Sequence, residues 1–230
     1  MKIIEIFYGN DYKRLLNEEL IILKQEKALA WFFAISMNVL VAVGAVLFWP
    51  ISECFSYFTD WMMWLSLLLS ISLYLCANDR DIKQKFGWLA YCHALFQLCM
   101  ICNCIVVVIY WTFLHELTLV KHHNYPGRYV HTYFSHSIPF VSTALIWWAN
   151  DIRLYVNHWK GLNIIAVLYG LWSYLKFMQT GVILYPFLDW RKSVPVLNLT
   201  IIAAVFSCVY VLLAYASYWL KPISNHSKIK

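Results

Sequence analysis

The sequence predicts an all-α integral membrane protein, a bundle of six transmembrane helices with both termini in the cytoplasm. Three observations support this fold class. Hydrophobic residues make up 62% of the chain and charged residues 13%, six apolar runs are long, and basic residues collect on one side of those runs. Soluble domains have nearer half apolar and a quarter charged residues, so the composition excludes an ordinary soluble domain.

Each of the six apolar runs has the length of about 20 residues that a bilayer core requires. Pro50 ends the first run, the charged segment 78–81 separates the second from the third, and Pro126-Gly127 precedes the fourth. The third and sixth runs are longer than the core, which predicts tilt or extension beyond it. The predicted spans are 28–49, 55–76, 87–114, 129–149, 161–182 and 194–220.

The segments outside these runs divide the chain into three parts. Between residues 11 and 27, leucine and isoleucine pairs alternate with polar residues at roughly helical spacing. This pattern predicts an amphipathic helix on the membrane surface, and a solvated helix fits it equally well. We therefore expect a cytoplasmic N-terminal segment (1–27) without a cleavable signal peptide, a transmembrane domain (28–220) and a cytoplasmic tail (221–230).

Basic residues predict the orientation. Of the 18 Lys and Arg residues, thirteen lie on the side of the termini, four on the other side, and Lys176 within a span. Cytoplasmic loops carry such an excess, which places the chain in the endoplasmic reticulum or plasma membrane of a eukaryote, or in a bacterial inner membrane. The net charge of +6 reflects this topology, so the expected partners are the bilayer and a lipid substrate, with no nucleic acid.

This orientation brings three polar features to one depth near the outer face. Thr59 and His136 each lie roughly 8–12 Å below the outer boundary, counted at 1.5 Å per residue. Thr180 and the loop after it reach the same level from the fifth run. Intramembrane ionisable groups usually face the bundle interior and serve function. A threonine hydroxyl becomes a nucleophile beside a base such as histidine, so Thr59 and His136 are the candidate catalytic pair.

Other interpretations exist for each of these residues. Small residues recur every three or four positions around Thr59, which also favours close helix packing. His131 lies about 140° from His136 on an ideal helix, so the two histidines do not serve one site equally. Lys176 either snorkels outward or binds a headgroup. Gln179 either donates to an oxyanion or bonds a neighbouring helix.

The segment from Thr180 to Trp190 resembles the androgen-induced family of multi-pass membrane hydrolases, which includes the androgen-dependent regulator of tissue factor pathway inhibitor and has bacterial relatives. The most specific match is a Tyr-Pro-Phe-Leu block after a Thr-Gly pair. His136 before Pro139-Phe140 and Thr59 after Phe58 match weaker parts. The likeness covers the organisation of all six helices and is sharp only around these motifs.

The resemblance implies an intramembrane threonine hydrolase that cleaves fatty acid esters of hydroxy fatty acids, with Thr59 as nucleophile and His136 as its partner. Animal members have more residues between histidine and proline, which makes His131 a competing base. They carry apolar residues where this chain has Asp60, a candidate for orienting the histidine. The loop is expected to line or cap the site through Thr180, Tyr185, Pro186, Phe187, Asp189 and Trp190.

The sequence thus predicts a lipid ester hydrolase that needs no metal or other cofactor. One alternative is a zinc-dependent membrane hydrolase built from loop histidines. Another is a transporter or scaffold without enzymatic activity. Cys99 and Cys102 stand three residues apart, as metal ligands do, but buried thiols in membrane helices usually serve packing. The histidines available for zinc are His115, His122, His123, His131 and His136.

Overall fold

The structure is a computed structural model that describes residues 21–22, 27–78 and 86–220. This part of the chain is almost entirely helical. A π-helical turn, Tyr110–Leu114, interrupts the third long helical stretch, and the two-residue strands β1 (Ile21–Ile22) and β2 (Asp151–Ile152) pair antiparallel. The helices are α1 (Ala28–Phe48), α2 (Phe58–Asn78), α3 (Phe86–Ile109), α4 (His115–His122), α5 (Pro126–Ala149), α6 (Trp159–Thr180) and α7 (Pro195–Leu220).

Among the described residues, five helical stretches are long and apolar enough to cross a membrane. These stretches are Ala28–Phe48, Phe58–Asn78, Trp88–His122, Val156–Thr180 and Pro195–Leu220. They support a multi-pass membrane protein. The predicted fourth span corresponds to α5, a helix of 24 residues that carries many polar side chains and is not one of the five. The fourth predicted span, the total of six spans and the cytoplasmic termini therefore remain predictions.

Several predicted boundaries differ from the observed ones, as where α2 begins at Phe58 and not at residue 55, and two of the differences have a clear local cause. The third run was expected to end at Leu114, but the helix continues through the π turn to His122, because polar residues such as His115 and Glu116 do not stop a helix. The fifth run was expected to reach Val182. It ends at Thr180 because Gly181 adopts the left-handed conformation, with φ 69°, that caps a helix C-terminus.

The core forms around α5, which packs against α1, α2 and α3. Asn38 of α1 donates to Ser70 of α2 at 3.0 Å and to Ser142 of α5 at 2.8 Å. A second amide, Asn103 of α3, donates to Ser66 of α2 at 2.8 Å. Such bonds hold membrane helices together where small residues let them approach. The stripe of small residues on α2 therefore serves packing below Thr59.

The bundle has two ends. One end, here called the site end, holds the loops 49–57, 123–125 and 181–194, and the opposite end holds residues 150–158. Helices α6 and α7 pack mainly on each other, and a cavity separates them from the core. Most of the predicted N-terminal segment (1–27) and all of the tail (221–230) lie outside the described residues.

Gly44 provides a test of the packing between α1 and α5. A Cβ atom at Gly44 would lie 2.7 Å from His131 Cδ2, whereas one at the helical Gly161 would meet nothing within 4 Å. We expect Gly44→Ala to lower the free energy of unfolding by about 1–3 kcal/mol. Gly161→Ala is expected to be neutral or to stabilise by up to about 1 kcal/mol. Thermal unfolding of both variants in detergent tests this difference, and equal melting temperatures would contradict it.

Candidate active site

The candidate site centres on a hydroxyl and an imidazole that meet between two helices. Thr59 is the second residue of α2 and is only 4% exposed. Its Oγ1 lies 3.0 Å from Nε2 of His136 on α5. The other ring nitrogen, Nδ1, lies 2.7 Å from the backbone carbonyl oxygen of Thr132, one turn earlier. The structure therefore brings together the two residues predicted as the catalytic pair.

These two contacts define the tautomer of the imidazole. A carbonyl oxygen accepts hydrogen bonds and cannot donate them, so Nδ1 of His136 carries the proton. In a neutral ring Nε2 then has a free lone pair, and it accepts the hydrogen bond from the Thr59 hydroxyl. This is the arrangement in which a histidine can remove the hydroxyl proton as oxygen attacks an electrophile.

The His136 ring packs against an aromatic residue that the sequence did not predict to be part of the site. Tyr110 stacks on the imidazole with ring centroids 3.9 Å apart and an interplanar angle of 22°. Tyr110 opens the π-helical turn between α3 and α4, and such turns occur frequently at functional sites. Tyr110 lies inside the third predicted apolar run, and the sequence gives no signal of this contact because the π turn and the stacking depend on tertiary structure.

His131, the competing base, occupies a different environment. Its Nδ1 accepts a hydrogen bond from Trp49 Nε1 at 3.0 Å, and its Nε2 donates to the Val41 carbonyl oxygen at 3.1 Å. Both nitrogens are therefore engaged with α1 and the residue that follows it. The structure uses His131 to join α5 to α1 and gives it no hydrogen bond to Thr59.

Thr59 and His136 lie where two cavities of opposite character meet. The first cavity has about 720 Å³ of empty space, counting its open part, and apart from this pair almost all of its lining is apolar. The second has about 1050 Å³ on the same basis and reaches the charged side chains of Glu53, Asp60 and Lys121 at the site end. An ester bond at the junction would have room for an apolar chain on one side and for water on the other.

The loop after α6 contributes the boundary between the cavities. Tyr185 is buried and lines both of them, Pro186 lines the polar cavity, and Phe187 lines the apolar one. The Tyr185 ring stacks on Phe187 at 5.1 Å and meets Tyr57 edge-on at 5.8 Å. These three predicted cap residues thus lie at the site.

The remaining loop residues hold the loop in place. Asp189 makes a two-point ion pair with Arg191, at 2.9 Å and 3.0 Å, and these bonds lower the pKa of the Asp189 carboxyl to about 2. Trp190 donates to Ser173 of α6 at 2.8 Å. Thr180 bonds the backbone at the end of α6 through the Lys176 carbonyl, at 2.7 Å. Thr180, Asp189 and Trp190 therefore position the loop and do not line the cavities.

Three polar residues predicted near the reacting groups lie elsewhere. Asp60 lines the polar cavity, but its carboxylate accepts from the Tyr57 backbone N–H at 2.9 Å and caps the start of α2. The group that orients His136 is the Thr132 carbonyl instead. Lys176 is half-buried and Gln179 is exposed, and neither side chain lines either cavity.

The zinc alternative gains no ligand set from the structure. Among the described residues, no group of three His, Cys, Asp or Glu side chains is placed to hold a metal ion. His131 and His136 each use both ring nitrogens in the hydrogen bonds described above.

Comparison with known proteins found no match to the chain among protein-family models, curated proteins or solved structures.

Proposed function

We propose that the protein is an intramembrane hydrolase of lipid esters. The observation that carries this proposal is the 3.0 Å contact between Thr59 Oγ1 and His136 Nε2 at the junction of an apolar and a polar cavity. A nucleophile and base in hydrogen-bond contact are the signature of covalent acyl transfer. The resemblance of the 180–190 segment to membrane threonine hydrolases favours the same chemistry and makes fatty acid esters of hydroxy fatty acids the first substrates to test.

The reaction follows from the hydrogen bonds. Thr59 Oγ1 attacks the ester carbonyl carbon while Nε2 of His136 takes the hydroxyl proton. His136 then gives this proton to the departing alkoxide oxygen, which leaves an acyl-threonine and a free alcohol. Water from the polar cavity, deprotonated by the same nitrogen, then attacks the acyl carbon. The bond to Thr59 Oγ1 breaks, His136 returns the proton to Oγ1, and the fatty acid is released. The first turn of α2 favours the negative charge that develops beside Thr59.

A fluorophosphonate probe tests this proposal directly. The probe phosphorylates activated hydroxyl nucleophiles, so we expect one adduct in the purified protein, on the tryptic or chymotryptic peptide that contains Thr59. Prior incubation with a cleavable lipid ester should slow labelling. An adduct on any other residue, or none, would contradict the assignment of Thr59. Thr200 on α7 is exposed, and a Thr200→Val variant controls for nonspecific loss of labelling.

Tyr185 is the candidate donor to the oxyanion. Tyr185 lines the same two cavities as Thr59 and His136, and burial raises the pKa of its phenol, so the group stays protonated. We expect Tyr185→Phe to lower kcat for ester hydrolysis by about 10²-fold with little change in KM, because one oxyanion donor is lost while the ring packing remains. Tyr215→Phe, on an exposed part of α7, is the matched control. Unchanged kcat in Tyr185→Phe would exclude this role.

A further inference from the structure

The apolar cavity is walled by one face from each of three helices. In every helix the lining residues follow the same spacing of three, one and three positions, so each wall covers two helical turns. The wall residues are Cys102, Ile105, Val106 and Ile109 of α3, then Leu162, Ile165, Ala166 and Tyr169 of α6, and Leu199, Ile202, Ala203 and Phe206 of α7.

One end of these walls lies at the proposed reaction centre. Ile109 directly precedes Tyr110, which stacks on His136. The Tyr169 ring lies 5.1 Å from that of Phe58, the neighbour of Thr59. The walls therefore run from the catalytic pair at the site end towards the middle of the bundle. Their far ends, two turns away, are Cys102, Leu162 and Phe206.

The length of the walls limits what they can hold. Seven residues of helix span about 10 Å. An extended carbon chain advances about 1.2 Å per bond, so the cavity accommodates roughly eight carbons beyond an ester carbonyl placed at Thr59. The lining contains no Asp, Glu, Lys or Arg side chain, so the group that fits there is apolar, as an alkyl chain is.

Beyond the far end of the apolar cavity, which we call its floor, lies another cavity. It has about 820 Å³ of empty space, counting its open part, and it reaches Gly161 and Tyr210 towards the opposite end of the bundle. Leu162 and Ile165 line both this cavity and the apolar one, and Leu162 is only 4% exposed. Leu162 and Ile165 therefore lie between the two spaces, and Leu162 stands at the far end of the α6 wall.

On the basis of the ester hydrolase function proposed above, we propose that Leu162 sets the acyl-chain limit of the enzyme. With leucine at this position, the preferred substrates are esters of medium-chain acyl groups of roughly eight to ten carbons. A smaller residue would join the two cavities and admit longer chains. A larger residue would shorten the apolar cavity and exclude acyl chains that the wild type accepts.

The test is a chain-length profile with 4-nitrophenyl esters of 4 to 16 carbons in one mixed-micelle composition. We expect Leu162→Ala to raise the ratio of kcat/KM for the 14-carbon ester to that for the 8-carbon ester on the order of tenfold or more. Leu162→Phe should shift the optimum to shorter chains. Adding Gly161→Leu to Leu162→Ala should restore the wild-type ratio, because Gly161 lines the cavity beyond Leu162 and a Cβ there meets nothing within 4 Å.

The outcomes separate this proposal from the one on which it depends. Hydrolysis that requires Thr59 but has the same chain-length profile in wild type, Leu162→Ala and Leu162→Phe would overturn the role of Leu162 and leave the hydrolase intact. Hydrolysis of no ester in a Thr59-dependent manner would overturn both. If Leu162→Ala does not fold, the shift towards shorter chains in Leu162→Phe decides the question alone.

Discussion

Replacing Thr59 by valine is expected to lower kcat for ester hydrolysis by about 10⁴-fold or more, the scale seen when a covalent nucleophile is removed. Valine keeps the branched shape of threonine and removes only the hydroxyl, so the cavity walls around Thr59 stay filled. The loss would therefore report on chemistry and not on repacking. The measurement is steady-state hydrolysis of a lipid ester by purified protein, with product identified by mass spectrometry.

Two further variants sharpen this expectation. Thr59→Ser retains a hydroxyl within reach of His136 Nε2 and should keep much of the activity. Thr200→Val makes the same chemical change on the exposed face of α7, where the hydroxyl bonds only the Val196 carbonyl of its own helix, and should change nothing. Activity in Thr59→Val close to that of the wild type would show that another group attacks the ester.

Some of the site could be predicted from the sequence because the position of a residue along a transmembrane helix determines its depth in the bundle. With a fixed rise per residue, the distances of Thr59 and His136 from the ends of their runs predict a shared level in the bundle. The 3.0 Å hydrogen bond between them agrees with that prediction. The aromatic loop after α6 was placed near the site by the same reasoning, and Tyr185 and Phe187 do line the cavities.

Other features depend on contacts that spacing along the chain does not encode. Asp60 lies in the first turn of α2 and forms a local cap there, which competes with any role beside the histidine. Tyr110 opens a π turn and stacks on His136 from there, and the spacing of the third apolar run predicts neither the turn nor the contact. Whether α5 spans the membrane is also not decided by composition, since several of its polar side chains, such as Thr132, Ser135 and Ser142, are buried inside the bundle.

His131 and His136 show most clearly what coordinates add to sequence. Both are buried or half-buried histidines on α5, five residues apart, and either could act as a base from the sequence alone. The hydrogen bonds separate them, because His136 offers a lone pair to Thr59 while both nitrogens of His131 are engaged with Trp49 and Val41. The two residues should therefore respond to substitution in different ways.

We expect His136→Ala to lower kcat by about 10²–10⁴-fold, the usual contribution of a general base, with little loss of thermal stability beyond that of the vacated volume. Added imidazole should restore part of the activity, since it can enter the space left by the ring.

His131→Ala should keep kcat and lower the free energy of unfolding by about 1–3 kcal/mol, because Trp49 loses its buried acceptor. Melting temperature and kcat measured on the same samples distinguish the two effects. If His131→Ala instead abolished hydrolysis in a folded protein and His136→Ala did not, the base would be His131, and the hydrogen bond between Thr59 and His136 would be structural.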